Sequence, residues 1–226
     1  MPLPTGMPDA PVTASSIFYL HGFMSSAKST KASYLGDRFR RYGTTLRCPD
    51  FNEPDFATLT MTRMLDRIDH EMAAAPGPAT LIGSSLGGTL AILAAASFGS
   101  RVDRLVLLAP AVKFAKAEHH LLPPDRIAEW RRLGRLPFFH YGDNAERMLN
   151  FAFYEDSLRY NPFDASFSQP TLIFQGVRDR SVDPRNVEAF AQPRANVTLS
   201  LLDDDHQLTT SLPRIWDGIS AFLEVK

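Results

Sequence analysis

Residues 79–96, ATLIGSSLGGTLAILAAA, decide how this chain is read. The first six are a continuous apolar run of strand type, and from Leu86 onward the composition turns to the Leu, Ala and small residues of a helix. Between them Gly83, Ser85 and Gly87 satisfy G-x-S-x-G in the strand-to-helix setting that a nucleophile elbow requires. A serine at so sharp a turn occupies strained backbone. Bulky neighbours would collide with adjacent elements, and Gly83 and Gly87 remove that crowding. The helix starting at Leu86 points unsatisfied N–H groups and partial positive charge at the same spot. Ser84 is out of frame and is read as structural. The competing reading is a tight turn with small residues for helix–sheet packing.

Composition limits what such a motif can mean. The chain has 226 residues, enough for one sizeable core, and its 44% hydrophobic and 22% charged residues are ordinary globular values. Lys and Arg total 24 against 25 Asp and Glu, so no cationic excess favours nucleic acid or an anionic membrane surface, and neither is expected as a partner. Cys48 is the only cysteine, which excludes an internal disulfide and a thiolate metal cluster; a buried, inert thiol is expected. Residues 1–14 carry four prolines and neither a basic residue nor an apolar run; they read as a loose leader rather than a secretory signal. No segment approaches the roughly 18 apolar residues of a membrane helix, and a cytoplasmic location is expected.

Short apolar runs alternate with helical patterns along the rest of the chain. The runs cover 16–22, 45–49, 79–84, 104–110, 171–176 and 197–202, and most are continuous, as strands buried on both faces should be. Met61, Met64, Leu65, Ile68 and Met72 recur at helical spacing, as do Ile215, Trp216, Ile219, Phe222 and Leu223. The expected fold is α/β: a mostly parallel central sheet with helices on both faces. One interval, 111–168, breaks the rhythm. It contains no convincing strand but has helical patterns such as PDRIAEWRRLG, so it reads as a helical cap inserted into a core of 15–110 and 169–226, one domain overall.

A serine hydroxyl needs a base, and the base needs a partner to orient its ring. Of six histidines only His206, in LLDDDHQL, follows the last strand run, and it is the candidate base. His21, in YLHGF, reads as structural, His70 as solvated, and His119, His120 and His140 as surface residues of the insertion. For the orienting acid, FQGVRDRSVDP offers Asp179 and Asp183. Pro184 marks Asp183 as a helix N-cap, which leaves Asp179 as the candidate. The run Asp203, Asp204, Asp205 beside His206 reads as an acidic turn, and no metal site is assigned.

The chain order Ser85, Asp179, His206 is that of α/β-hydrolases. The sequence resembles that superfamily from FYLHGF to the last helix, and YLHGFMSSAKSTKA with IGSSLGGTLA resembles small bacterial YqiA-type esterases. It is also similar to acyl-protein thioesterase-like hydrolases, which share GSSLGG and a late DH. The resemblance implies the α/β-hydrolase fold and an oxyanion hole made by the backbone N–H groups of Phe23 and Leu86, with His21, Gly22, Gly83 and Gly87 supporting the motifs. Two departures are visible. HGFM replaces the lipase HGGG, and GVRDRSVDP has one residue more before its proline than the usual GxxDxxVP, with Asp179 still in frame.

The implied reaction is hydrolysis of a carboxylic ester or thioester of a small to medium acyl compound through an acyl-enzyme, with no cofactor. The same residues could serve carbon–carbon bond hydrolysis or acyl transfer, and a non-catalytic binding protein on a hydrolase fold is the reading of another class. The insertion holds 11 of the chain's 24 aromatic residues. Met24, Trp130, Phe151, Phe153 and Tyr154 are candidates for an apolar substrate pocket, against the alternative that the aromatics are the insertion's own small core. Its Arg126, Arg131, Arg132 and Arg135 read as a solvated helix face rather than a site for an acidic leaving group.

Overall fold

The computed structural model describes residues 16–115 and 121–225; the expected leader, His119 and His120 lie outside them. The apolar runs form β1 (Ser16–Leu20), β2 (Leu46–Arg47), β3 (Ala79–Ser84) and β4 (Val102–Leu108) and, after a hairpin of β5 (Arg135–His140) and β6 (Ala145–Asn150), β7 (Thr171–Gly176) and β8 (Val197–Leu202). All but the hairpin pair in parallel in one sheet of order β2-β1-β3-β4-β7-β8. β3 and β7 are buried at every position, which is why their sequences show no alternation.

Helices cover both faces. Phe18, Leu20, Leu81, Leu105, Leu107 and Ile173 point into one core, met by Met64 and Ile68 of α2 (Met61–Ala73) and Leu90 of α3 (Leu86–Phe98). Ile17, Tyr19, Ile82, Val106, Leu108 and Phe174 point the other way, onto Leu35 and Phe39 of α1 (Thr30–Arg40). Each fully buried side chain of this size contributes about 1.5–3 kcal/mol, so the two layers fix the period-two register of every strand. β1 has β2 on one side and β3 on the other. The winding direction therefore reverses between β1 and β3, and the crevice at such a switch point is where open α/β sheets bind ligands.

The interval between β4 and β7 differs from the helical cap read from sequence. It does contain α4 (Pro124–Leu133) and α5 (Ala152–Ser157), but β5 and β6 form an antiparallel hairpin between them. Leu136, Phe138 and His140 are buried and alternate with exposed Arg135, Pro137 and Phe139. Pro137 and the polar composition of AERMLN hide this alternation. A two-stranded ribbon tolerates proline because one side of each strand needs no donor. His140, expected at the surface, is 1% exposed. Two more helices complete the chain: α6 (Pro184–Ala191), whose Val187 and Phe190 join the first core, and α7 (Leu212–Phe222), whose Ile215, Trp216 and Ile219 join the second.

Candidate active site

Ser85 stands between β3 and α3 at φ 53° and ψ −116°, a conformation that costs a non-glycine residue about 1–3 kcal/mol. Hydrogen bonds hold it there. Its N–H donates to Leu108 O at 2.9 Å, and its carbonyl accepts from Gly88 N–H (2.9 Å), Thr89 N–H (3.3 Å) and Ala111 N–H (3.1 Å). The glycines are required by close approach. A Cβ on Gly83 would lie 2.3 Å from Gly87 O, and one on Gly87 would lie 1.9 Å from Leu20 O.

His206 follows β8 and reaches both neighbours. Its Nε2 lies 3.1 Å from Ser85 Oγ, and its Nδ1 lies 2.8 Å from Asp179 Oδ2. An ionised carboxylate can only accept, so Nδ1 carries the proton and Nε2 is free to accept from the serine hydroxyl. Asp179 has no exposed side-chain surface. Its Oδ1 accepts from Ser181 N–H and Val182 N–H, both at 2.8 Å, and its Oδ2 also accepts from Gln175 Nε2 at 3.0 Å. Burial by itself would raise its pKa, but the bonds from His206, Val182 N–H and Gln175 outweigh it and hold the carboxyl below the usual range. Asp183 caps α6 by accepting from Arg185 N–H.

The loop that presents His206 is organised by Asp204, read above as part of an acidic turn, and by Gly176 and Lys31, which sequence reasoning passed over. Asp204, 3% exposed, accepts from Asp205 N–H and Ser211 N–H, both at 2.8 Å. Gly176 permits the approach of this loop to the end of β7: a Cβ there would lie 2.5 Å from Asp204 O. Lys31 Nζ donates to Gln207 O at 3.0 Å. Burial pushes Lys31 down to about 8, with Asp179, Asp205 and Asp204 pulling the other way. Gln175, a polar side chain inside the apolar run TLIFQG, was the visible signal for an Asp179 partner; nothing in sequence marked Lys31. Among the described residues no group of three or more His, Cys, Asp or Glu could hold a metal ion.

The loop after β1 forms the opposite wall. A Cβ on Gly22 would lie 3.3 Å from Ser85 Cβ, so Phe23 follows a residue that abuts the elbow. His21 fixes the loop: its Nδ1 donates to Gly22 O at 3.0 Å and its Nε2 accepts from Phe51 N–H at 3.0 Å. Leu86, the first residue of α3, has an N–H with no partner inside the helix. The Phe23 ring is enclosed by Phe56, Phe114, Phe138 and Phe153.

A cavity of about 1110 Å³ opens at Ser85 and His206. Phe23, Met24, Phe114, Leu121 and Tyr141 line part of it. Of the five candidates for the substrate pocket only Met24 is in its wall. Trp130, Phe151, Phe153 and Tyr154 are corrected to the apolar core, where they join the first cluster. Trp130 is fully buried, donates from Nε1 to Leu149 O at 2.8 Å and packs against Phe138, Phe151 and Tyr154. These side chains are continuous with the first core, which runs from the sheet through α2 into the insertion.

The parallel sheet clad on both faces, with the elbow after β3 and the His206 loop after β8, is the α/β-hydrolase fold. Solved structures agree. Alpha/beta hydrolase domain-containing protein 10 from mouse is 20% identical with a TM-score of 0.78, over 93% of this chain and 90% of that one. Est1E from Butyrivibrio proteoclasticus, solved with ferulic acid bound, is 19% identical with a TM-score of 0.79, over 97% and 93%. A monoacylglycerol lipase from Paleococcus ferrophilus is 14% identical with a TM-score of 0.74, over 92% and 93%. The chain belongs to the family described as Uncharacterised protein family (UPF0227), whose model matches residues 16–224. Curated protein sequences gave no match. Among the described residues no helix is long and apolar enough to cross a membrane.

Proposed function

We propose that the protein is a serine hydrolase that cleaves a carboxylic ester or thioester of a small to medium acyl compound through an acyl-enzyme, with Ser85 as nucleophile, His206 as base and Asp179 as its orienting acid. The observation that carries this is the continuous chain from Asp179 Oδ2 through His206 to Ser85 Oγ, with steps of 2.8 and 3.1 Å, ending on a serine held in left-handed backbone.

His206 Nε2 removes the Ser85 hydroxyl proton as Oγ bonds to the substrate carbonyl carbon. The resulting oxyanion accepts from the N–H groups of Leu86 and Phe23, a contribution of about 10²–10³ in rate for each donor. When the tetrahedral species collapses, the C–O or C–S bond breaks and the imidazolium returns its proton to the departing alkoxide or thiolate. Water, deprotonated by the same nitrogen, then attacks the acyl-serine, and His206 protonates Ser85 as the acid leaves. Asp179 stays ionised throughout and stabilises the imidazolium. Cys48 is unsuited to the nucleophile's role, because burial pushes its thiol up to about 11.

A fluorophosphonate probe tests this reading. Ser85 should be labelled, labelling should vanish in His206→Ala, and turnover should follow on p-nitrophenyl or acyl-CoA series. Folded protein that takes no label and turns over neither series would instead support a binding role.

A further inference from the structure

The wall of the cavity at Ser85 combines two chemistries. Phe23, Met24, Phe114 and Leu121 supply apolar surface, while Lys28 and Lys31 come from the loop after β1 and the first turn of α1. Lys31 is the unusual member. It is 8% exposed, and among the described residues the Gln207 carbonyl is its hydrogen-bond partner and no carboxylate pairs with it. An ammonium carries three N–H donors, and that carbonyl accounts for one of them. A buried cation is costly; the charges of Asp179, Asp205 and Asp204 offset part of that cost without pairing with Lys31, and a ligand oxyanion in direct contact removes more of it.

The carboxylates in the same wall are engaged elsewhere. Asp50 accepts from Asn52 N–H at 3.0 Å, Asp143 pairs with Arg147, and Asp183 pairs with Arg185 at 2.6 Å. The first turn of α1 adds partial positive charge beside Lys31, and Ser29 and Thr30 contribute to the wall there. Since Lys31 bonds to the residue next to His206, this charge stands close to the reacting groups.

Resting on the hydrolase reading above, we propose that the ester or thioester cleaved at Ser85 carries a second, non-reacting oxyanion, a carboxylate or a phosphate, and that Lys31 with Lys28 binds it. Lys31 is thereby a specificity-determining residue. The exposed arginines of α4 have no part in this, since none of them lines the cavity.

Two matched substrate pairs test the proposal and separate its two chemistries. Mono-(4-nitrophenyl) glutarate against 4-nitrophenyl valerate places a carboxylate on the acyl side; 4-acetoxyphenyl phosphate against phenyl acetate places a phosphate on the alcohol side. The expected result is a kcat/KM at least about tenfold higher for the anionic member of one pair, and the pair that shows it identifies the oxyanion. In Lys31→Met that ratio should fall about tenfold. Because a ratio of two substrates cancels any common effect on His206, the fall reports the charge. Lys28→Ala, at an exposed position that leaves folding intact, should lower the same ratio about threefold. Equal rates within both pairs, or a preference that survives both substitutions, would overturn the proposal. Labelled, active enzyme without anionic preference defeats this inference alone, whereas unlabelled, inactive folded protein defeats the hydrolase reading itself.

Discussion

The ring of Phe153, from the insertion between β4 and β7, lies 4.9 Å from that of Phe23 with 9° between their planes. One ring is fully buried; the other belongs to the residue whose N–H faces the elbow in the proposed mechanism. Tyr141 N–H adds a second tie, donating to Met24 O at 2.9 Å. The insertion therefore braces the loop after β1 in addition to walling the cavity. Phe153→Leu, which keeps most of the packing volume, should cost about 1–2 kcal/mol of stability and lower kcat about tenfold, with KM changing less than about threefold. Steady-state kinetics on one ester with parallel denaturant unfolding checks this; a change confined to KM would show that the stack shapes binding instead.

At the elbow, the usual ranking of residues should invert. Alanine normally outranks glycine in folded backbone, but at φ 53° a Cβ is strained. Ser85→Gly should be more stable than Ser85→Ala by about 1 kcal/mol, and both should lose fluorophosphonate labelling. Urea denaturation of the two variants measures the difference.

Two glycines in helices should answer alanine in opposite ways. Gly87→Ala would place a Cβ 1.9 Å from Leu20 O, backbone against backbone, and should cost more than about 3 kcal/mol or prevent soluble expression. Gly36, inside α1, has nothing within 4 Å of its missing Cβ, so Gly36→Ala should add about 0.5–1 kcal/mol through helix propensity. Thermal unfolding of Gly36→Ala and soluble yield of Gly87→Ala give the comparison.

Asp179 predicts an acid dependence with a definite sign. Its carboxyl is held below the usual value of about 3.9, so its ionised form contributes stability that is complete at neutral pH and is lost as pH falls below about 4. Asp179→Asn lacks this contribution. The gap in melting temperature between wild type and variant should be widest at neutral pH and narrow toward pH 3, while activity at neutral pH falls about 10³–10⁴-fold through loss of the imidazole's orientation. A gap that widens on acidification would contradict the assignment.

The main sheet was legible because burial on both faces writes each strand as an unbroken apolar run. ATLIGS and TLIFQG form β3 and β7 to the residue. The hairpin was not, because Pro137 and the polar residues of β6 break the pattern that a half-exposed ribbon shows. Aromatic content in the insertion could equally build a pocket or a core. What separates the two is direction: Phe114 and Tyr141 turn toward the cavity while Trp130 and Phe153 turn inward, and sequence spacing carries no such information. Ser85, Asp179 and His206 stood out through position after strand ends. Lys31 looked like one more charge at the start of an amphipathic helix, and only its packing against the Gln207 carbonyl distinguishes it.

The carbonyl of Ser85, gripped by three N–H donors while its own N–H is bound to Leu108, has a consequence for timing. The conformation that presents the hydroxyl is assembled as β4 and α3 dock, so the energy stored at this turn is met once, in the biogenesis of the protein, rather than at each catalytic cycle. Amide protons of Ser85, Gly88 and Ala111 should accordingly exchange with solvent only on global opening, and substrate should meet a nucleophile already in its reactive posture.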